Sequence, residues 1–220
     1  MDSLLPHLKE AATVRRIKKG GNIFFQGEIP RSVMIVRDGV VRAYTITSSG
    51  EERIVSLFGK GDIIPLAWAL GQAPNAVFYY DALTEVRVLT VPKQAFTDAI
   101  QKHPDVLAQM IQFVTAEYTA LLFRVTGLNQ SRAIEKIGYT LYYLLFRYGT
   151  EKARGNYVID IKMSQTVIAA LVGLTRESTT KNLKLLKEKG IITYANSTYT
   201  INKTKLENFL GEDGFRDLTL

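Results

Sequence analysis

The chain has no cysteine in its 220 residues. That excludes disulfides, thiolate zinc sites, cysteine-ligated iron–sulfur clusters, thiol nucleophiles and thiol redox sensing together. Histidine is nearly as scarce. His7 and His103 lie far apart in sequence, and His103, just before Pro104, reads as a surface turn residue rather than a haem ligand. No metal site and no cofactor are expected. Enzyme signatures are missing too: there is no Gly-x-Gly-x-x-Gly, phosphate-loop lysine motif, Gly-x-Ser-x-Gly or clustered His/Asp/Glu set. The chain is not expected to be an enzyme. Charges run throughout Met1–Lys19, leaving no apolar core for a secretion signal. The longest uncharged stretch, Ile63–Tyr80, is interrupted by Pro65, Gly71, Gln72, Pro74 and Asn75 and is poor material for a membrane helix. A cytoplasmic location without a membrane partner is expected.

Hydrophobic residues make up 46% of the chain, enough for a substantial core, and the net charge is +7. The excess is uneven: residues 1–130 hold 14 basic and 12 acidic side chains, residues 131–220 hold 14 and 9. A basic C-terminal part favours a polyanionic partner there.

Between Thr13 and Pro92, short apolar runs alternate with glycine punctuation. Phe24-Phe25, Val33–Val36, Val40–Ile46, Arg53–Phe58 and Val86–Val91 read as strands, with Gly20-Gly21, Gly27, Asp38-Gly39, Ser49-Gly50 and Lys60-Gly61-Asp62 between or beside them. Such spacing suggests a small antiparallel barrel or sandwich. Five stretches carry a resemblance in order: Lys19–Phe24, Gln26-Gly27-Glu28, Met34–Gly39, Val40–Tyr44 and Gly59–Ile63. They resemble the cyclic-nucleotide-binding β-roll of the cyclic-AMP receptor protein and fumarate–nitrate regulator (Crp/Fnr) family.

After His103-Pro104, Leu107, Ile111, Val114, Tyr118, Leu121, Val125 and Leu128 recur at alternating steps of 4 and 3. An a/d repeat sustained this long fits a parallel two-stranded coiled coil, since a helix packed on its own domain drifts towards a period of about 3.6. A core helix is the alternative. The resemblance places the family's dimerisation helix here. Met110 and Leu122 flank the seam and could face the β-roll.

An amphipathic helix is predicted over Ala133–Tyr148, stopped by Gly149. A short alternating run follows at Tyr157, Ile159 and Ile161. Ser164 reads as the N-cap of a helix through Val172, Gly173 as a sharp turn plugged by Leu174, and Thr175 as the cap of a second helix ending near Lys189 before Gly190. Ile191–Tyr194, a turn at Ala195-Asn196-Ser197 and Thr198–Ile201 read as a hairpin, the wing. The run Gly173-Leu174-Thr175-Arg176-Glu177-Ser178-Thr179, then Leu183, Leu186 and Gly190-Ile191-Ile192, resembles the same family's helix-turn-helix. Thr179 and Asn182 depart from it, standing where many relatives place apolar residues, so packing is expected to rest mainly on Leu183 and Leu186.

The second helix would offer Arg176, Glu177, Ser178 and Lys181 to base edges in the major groove. Arginine can grip guanine with two hydrogen bonds, and glutamate can accept from cytosine. The resemblance implies base reading by the same arginine, glutamate and following basic residue. Ser164, Gln165, Thr175, Thr180 and Lys184 are better placed for phosphate.

The β-roll departs from nucleotide binding. In family members that bind cyclic AMP, a Gly-Glu pair holds the ribose and an Arg-Ser pair neutralises the phosphate. This chain reads Gly61–Trp68 and Pro74–Tyr80 there, with no arginine between Arg53 and Arg87. An unpaired phosphate in an apolar cleft is costly, so a cyclic nucleotide bound in the usual way is not expected. Leu66, Trp68, Phe78, Tyr80, Tyr118 and Leu122 could form a pocket for an uncharged or aromatic effector, or simply a filled core, the favoured reading.

The expected fold class is α+β, with an antiparallel β-roll at 1–105, a dimerisation helix at 106–130 and a winged helix-turn-helix at 131–220. The expected function is a homodimeric, sequence-specific transcription regulator. It would read palindromic double-stranded DNA through a recognition helix at about 175–189, with RNA polymerase as a further partner and the effector unknown. A ligand-binding module acting through a protein partner is the alternative.

Overall fold

The computed structural model describes residues 3–211. Its contacts divide the chain into two compact units, residues 1–116 and 117–220. Met1, Asp2 and residues 212–220, the outermost parts of the first and last expected domains, lie outside the described residues.

The first unit begins with a short helix α1 (Leu4–Leu8) and continues as strands β1 (Thr13–Ile17), β2 (Asn22–Phe24), β3 (Val33–Asp38), β4 (Val41–Ile46), β5 (Glu52–Phe58) and β6 (Ile63–Ile64). A one-turn helix α2 (Leu66–Ala69) precedes β7 (Tyr79–Ala82), β8 (Val86–Val91) and helix α3 (Lys93–Lys102). The strands form two antiparallel four-stranded sheets, ordered β1-β8-β3-β6 and β2-β7-β4-β5. This is the expected β-roll. Three strands lie outside the predicted set: β1, whose first four residues are exposed and carry no apolar alternation, the short β6, and β7.

Glycine is obligatory at one hairpin in particular. Gly39 has φ +80°, and a Cβ there would lie within 2.0 Å of the Glu85 carbonyl oxygen. A side chain would therefore meet both a strained backbone and a rigid peptide. In the Gly59–Asp62 turn, Asp62 is buried and its Oδ2 accepts the Gly59 N–H at 2.7 Å. Across the second sheet, Arg42 grips Asp81 through two 2.7 Å hydrogen bonds, which raise the arginine's pKa, and it also reaches Glu52.

Two separate apolar clusters fill this unit. One holds Phe24, Met34, Val36, Ile64, Tyr80 and Val88, with Phe58 and Phe78 packed against it. The Phe24 and Phe58 rings each lie 5.8 Å from the Tyr80 ring, and burial pushes the Tyr80 phenol up to about 12. The other holds Leu4, Leu8, Ile35, Trp68, Phe96, Val106 and Met110, with Leu66 packed against it.

Helix α4 (Pro104–Leu128) starts at Pro104 as predicted and runs for 25 residues. By length and composition it is apolar enough to cross a membrane, but two of its charged residues are engaged within the second unit. Glu117 pairs with Arg147, and Arg124 donates to the Leu171 carbonyl at 3.1 Å. Its inward residues are Val106 and Met110 in the first unit, and Ala120, Phe123 and Arg124 in the second. The predicted seam is what remains outside. Leu107, Ile111, Val114, Tyr118, Leu121, Val125 and Leu128 are each 38–60% exposed.

In the second unit, helix α5 (Ala133–Tyr148) has the predicted bounds and is followed by β9 (Gly149–Ala153) and β10 (Asn156–Ile159). Then come α6 (Gln165–Val172), α7 (Arg176–Glu188), β11 (Ile192–Ala195), β12 (Thr198–Asn202) and α8 (Lys203–Leu210). The wing belongs to a four-stranded sheet ordered β11-β12-β10-β9. Strand β9, Gly-Thr-Glu-Lys-Ala, is almost wholly exposed and has no apolar signal to read. Helix α8 is likewise outside the predicted elements. Asn202 caps it by accepting the Lys205 N–H, and Glu207, buried, accepts from the Tyr142 hydroxyl at 3.2 Å.

Candidate nucleic-acid interface

Three local devices build the helix pair α6–α7. Ser164 Oγ accepts the Val167 N–H at 3.3 Å and starts α6. Gly173 ends it in the left-handed region, φ +72° and ψ 32°, where its own N–H and that of Leu174 both reach the Ala169 carbonyl. Thr175 Oγ1 then accepts the Ser178 N–H at 3.2 Å and starts α7. Each of these residues sits where the sequence placed it, and each role follows from satisfying helix-end N–H and C=O groups.

Burial of one face holds α7 in place. Leu183 and Leu186 are fully buried, as expected, and Thr179 is buried beside them. Asn182 is half-buried and donates to the Ser178 carbonyl at 2.8 Å. Thr179 thus packs in the core rather than merely sparing it, although its Oγ1 has no hydrogen-bond partner among the described residues. An unsatisfied buried hydroxyl costs about 1–3 kcal/mol. Thr179→Val keeps the branched shape and removes that hydroxyl, so it should stabilise the protein by about 1 kcal/mol. A urea denaturation midpoint that stays put or falls would contradict this.

Opposite that face, Arg176, Glu177 and Lys181 are exposed. Ser178 is half-buried, so it is the least accessible of the four expected base readers. Lys184 is exposed, with Glu188 at 3.8 Å; such a surface pair is weak and leaves the ammonium available.

The expected phosphate residues do not all stand free. The Thr180 hydroxyl reaches Gln165 Oε1 at 2.6 Å and the Arg176 carbonyl at 2.9 Å. Its one proton is already engaged. Thr180 therefore aligns Gln165, leaving the Gln165 amide N–H groups as the donors for an anion. This pairing links the start of α6 to α7 across 15 positions, with no local sequence signal.

A cleft of about 200 Å³ opens at the same place, lined by Ser164, Gln165, Thr166, Arg176, Ser197 and Tyr199 among others. The wing turn reaches it because Asn196 and Ser197 both have positive φ, 49° and 64°, and the Ser197 carbonyl accepts the Met163 N–H at 2.8 Å. Two helix N-termini, an arginine and the three aliphatic hydroxyls of Ser164, Thr166 and Ser197 thus surround one hollow, a setting suited to phosphate oxygens. Beneath it Tyr199 is buried, which pushes its phenol up to about 12, and its ring lies 5.5 Å from that of Tyr194. Thr166 and Ser197 are absent from the sequence-based set of phosphate residues. So is Arg124, which is buried and holds the last turn of α6 through the Leu171 carbonyl; burial lowers its pKa.

The roll residues of the possible effector pocket pack into two different apolar clusters. Leu66 and Trp68 belong with Leu4, Leu8 and Phe96, whereas Phe78 and Tyr80 belong with Phe24 and Phe58. Leu122 and Tyr118 are exposed on α4. The roll residues face two different cores because α2 and β7 turn their apolar side chains to opposite sides of the β3–β6–β8 sheet.

Residues 14–103 match the cyclic nucleotide-binding domain, and residues 135–209 match the Crp-like helix-turn-helix domain. The chain is 25% identical over 191 residues to the fumarate nitrate reduction regulatory protein of Klebsiella oxytoca, covering 86% of this chain and 75% of that protein. Its fold is similar to the structure of FixK2 from Bradyrhizobium japonicum, with TM-score 0.74, 22% identity and coverage of 90% of this chain and 96% of that one. It is also similar to TTHA1359, a transcriptional regulator of the CRP/FNR family from Thermus thermophilus, with TM-score 0.66, 21% identity and coverage of 92% and 100%. With a β-roll of the one kind, a helix-turn-helix of the other and a long helix between the two matched segments, this chain belongs to the Crp/Fnr family of DNA-binding transcription regulators.

Proposed function

We propose that the chain works in the cytoplasm as a homodimer that reads a palindromic DNA site, with residues 1–105 as an effector-type domain, 106–130 as the dimerisation helix and 131–220 as the DNA reader. The observation that carries this reading is the seam. Seven apolar residues at a strict a/d repeat are left 38–60% exposed along a helix whose other face is buried. A second copy of the same helix is the partner such a repeat fits, and a twofold dimer calls for a twofold site. Arg176, Glu177 and Lys181 are the base readers, with Ser178 in support. Ser164, Gln165, Thr175 and Lys184 are the phosphate contacts, with Thr180 holding Gln165.

A cyclic nucleotide bound in the usual manner does not fit this chain. There is no arginine between Arg53 and Arg87, and the roll interior is occupied by Phe24, Phe58, Phe78 and Tyr80. RNA polymerase is the further partner a transcription regulator requires. The proposal is tested by selecting bound duplexes from a random pool and titrating the purified protein against them. The enriched sites should be inverted repeats with half-sites about one helical turn apart. Enrichment of single half-sites or of no motif would overturn the proposal.

A further inference from the structure

His7 and His103 are the only two histidines in the chain. Far apart in sequence, they nevertheless meet in the first unit, their rings stacked at a centroid distance of 3.6 Å and an interplanar angle of 22°. Asp105, in the first turn of α4, joins them, and the ligating atoms of all three residues lie within 4.8 Å of one another. We infer that His7, His103 and Asp105 form a binding site for one divalent transition-metal ion of the zinc type.

Both sides of the contact are held by packing. Leu4 and Leu8, on either side of His7 in α1, are fully buried in the core that also contains Phe96, Ala99 and Val106. The Ser3 N–H donates to Gln109 Oε1 at 3.2 Å, which further ties the start of α1 to α4. His103 ends α3, one residue before α4 begins. Three separate elements therefore bring two imidazole nitrogens and a carboxylate oxygen to one point.

The chemistry of that donor set selects its ion. Two imidazoles and one carboxylate suit zinc, nickel or copper(II), whereas magnesium and calcium take sets built from oxygen alone. On a shared tetrahedral ion these donors stand closer than 4.8 Å, given bond lengths of about 2.0–2.2 Å. His7 and Asp105 are exposed and His103 half-buried, so side-chain rotation can close the gap, and water can complete the coordination. A bound ion would clamp α1 to the corner between α3 and α4. This inference is independent of how the second unit reads DNA.

The test is calorimetric titration of zinc sulfate into the metal-stripped, full-length chain carrying no affinity tag. One ion per chain should bind, and thermal unfolding should move up by several degrees at saturating zinc. His7→Ala or His103→Ala should weaken binding by about a hundredfold or more, and Asp105→Asn by about tenfold. His7→Gln with His103→Gln, milder in shape, should abolish both the binding and the thermal shift while leaving the metal-free unfolding temperature unchanged. The inference is overturned if zinc binding is no tighter than millimolar, if the double variant binds as the parent does, or if magnesium binds as tightly as zinc.

Discussion

Replacing Ile111 and Leu121 together by glutamate should turn the chain into a monomer and weaken its binding to an inverted-repeat DNA by about 10²–10⁴-fold. The size follows from bivalency. Two readers joined through a dimer bind the second half-site at an effective concentration rather than from bulk solution, and that advantage disappears when the dimer does. Both residues are seam positions, 59% and 53% exposed, and neither supports its own unit's core. In the proposed dimer each glutamate would be set beside its counterpart across the twofold axis, where burying like charges is strongly unfavourable. The helix itself should survive, because its inward residues Val106, Met110, Ala120 and Phe123 are untouched. Sedimentation equilibrium reads the association, circular dichroism the helix content, and a fluorescence titration the DNA affinity. Gln112→Glu places one glutamate at an exposed position off the seam and should leave all three as they are. A double variant that remains a dimer with parental affinity would rule out the seam as the dimer contact.

Arg176→Ala should flatten the protein's preference among DNA sequences, with a loss of about 1–3 kcal/mol per half-site at the guanine it contacts. Arg176 is exposed at the first turn of α7, and Thr175 caps the helix start that presents it. Its planar guanidinium can donate two parallel hydrogen bonds to guanine O6 and N7, and alanine can donate none. A dimer applies the loss twice, once in each half-site. Lys184→Ala is the informative contrast. Lys184 stands two turns further along the exposed face, where a point charge to phosphate is favoured over base reading. Its loss should weaken all duplexes about equally and reduce the slope of log affinity against log salt by about 1 per contact. Competition titrations against a panel of single-base variants at several salt concentrations separate the two behaviours. If Arg176→Ala lowers every duplex alike, or Lys184→Ala changes the ranking, the division into base and phosphate contacts is wrong.

Both predictions rest on residues legible in the sequence because their signals are local. Ser164, Gly173 and Thr175 satisfy helix-end groups within three or four residues of themselves, so the helix-turn-helix can be read from a short window. The seam likewise follows from spacing along one helix. Strand β9 was not legible, since Gly149–Ala153 is exposed and is recruited by pairing with β10. The choice between an effector pocket and the favoured filled core was not legible for a related reason. Composition could show that Leu66, Trp68, Phe78 and Tyr80 are apolar, but not that two belong to one core and two to another.

By itself, the sequence determined the order of the parts, the caps and turn of the DNA-binding motif, the heptad on α4 and the absence of arginine between Arg53 and Arg87. These are properties of neighbouring residues and of residue type. Only the tertiary structure decided that Thr180 holds Gln165, that Arg124 closes the end of α6, that Thr179 is buried with no hydrogen-bond partner for its hydroxyl among the described residues, and that His7 meets His103. Apart from the burial of Thr179, each of these contacts joins residues 15 to 96 positions apart. Packing of whole elements brings such residues together, and no local pattern in the chain records the distance between them.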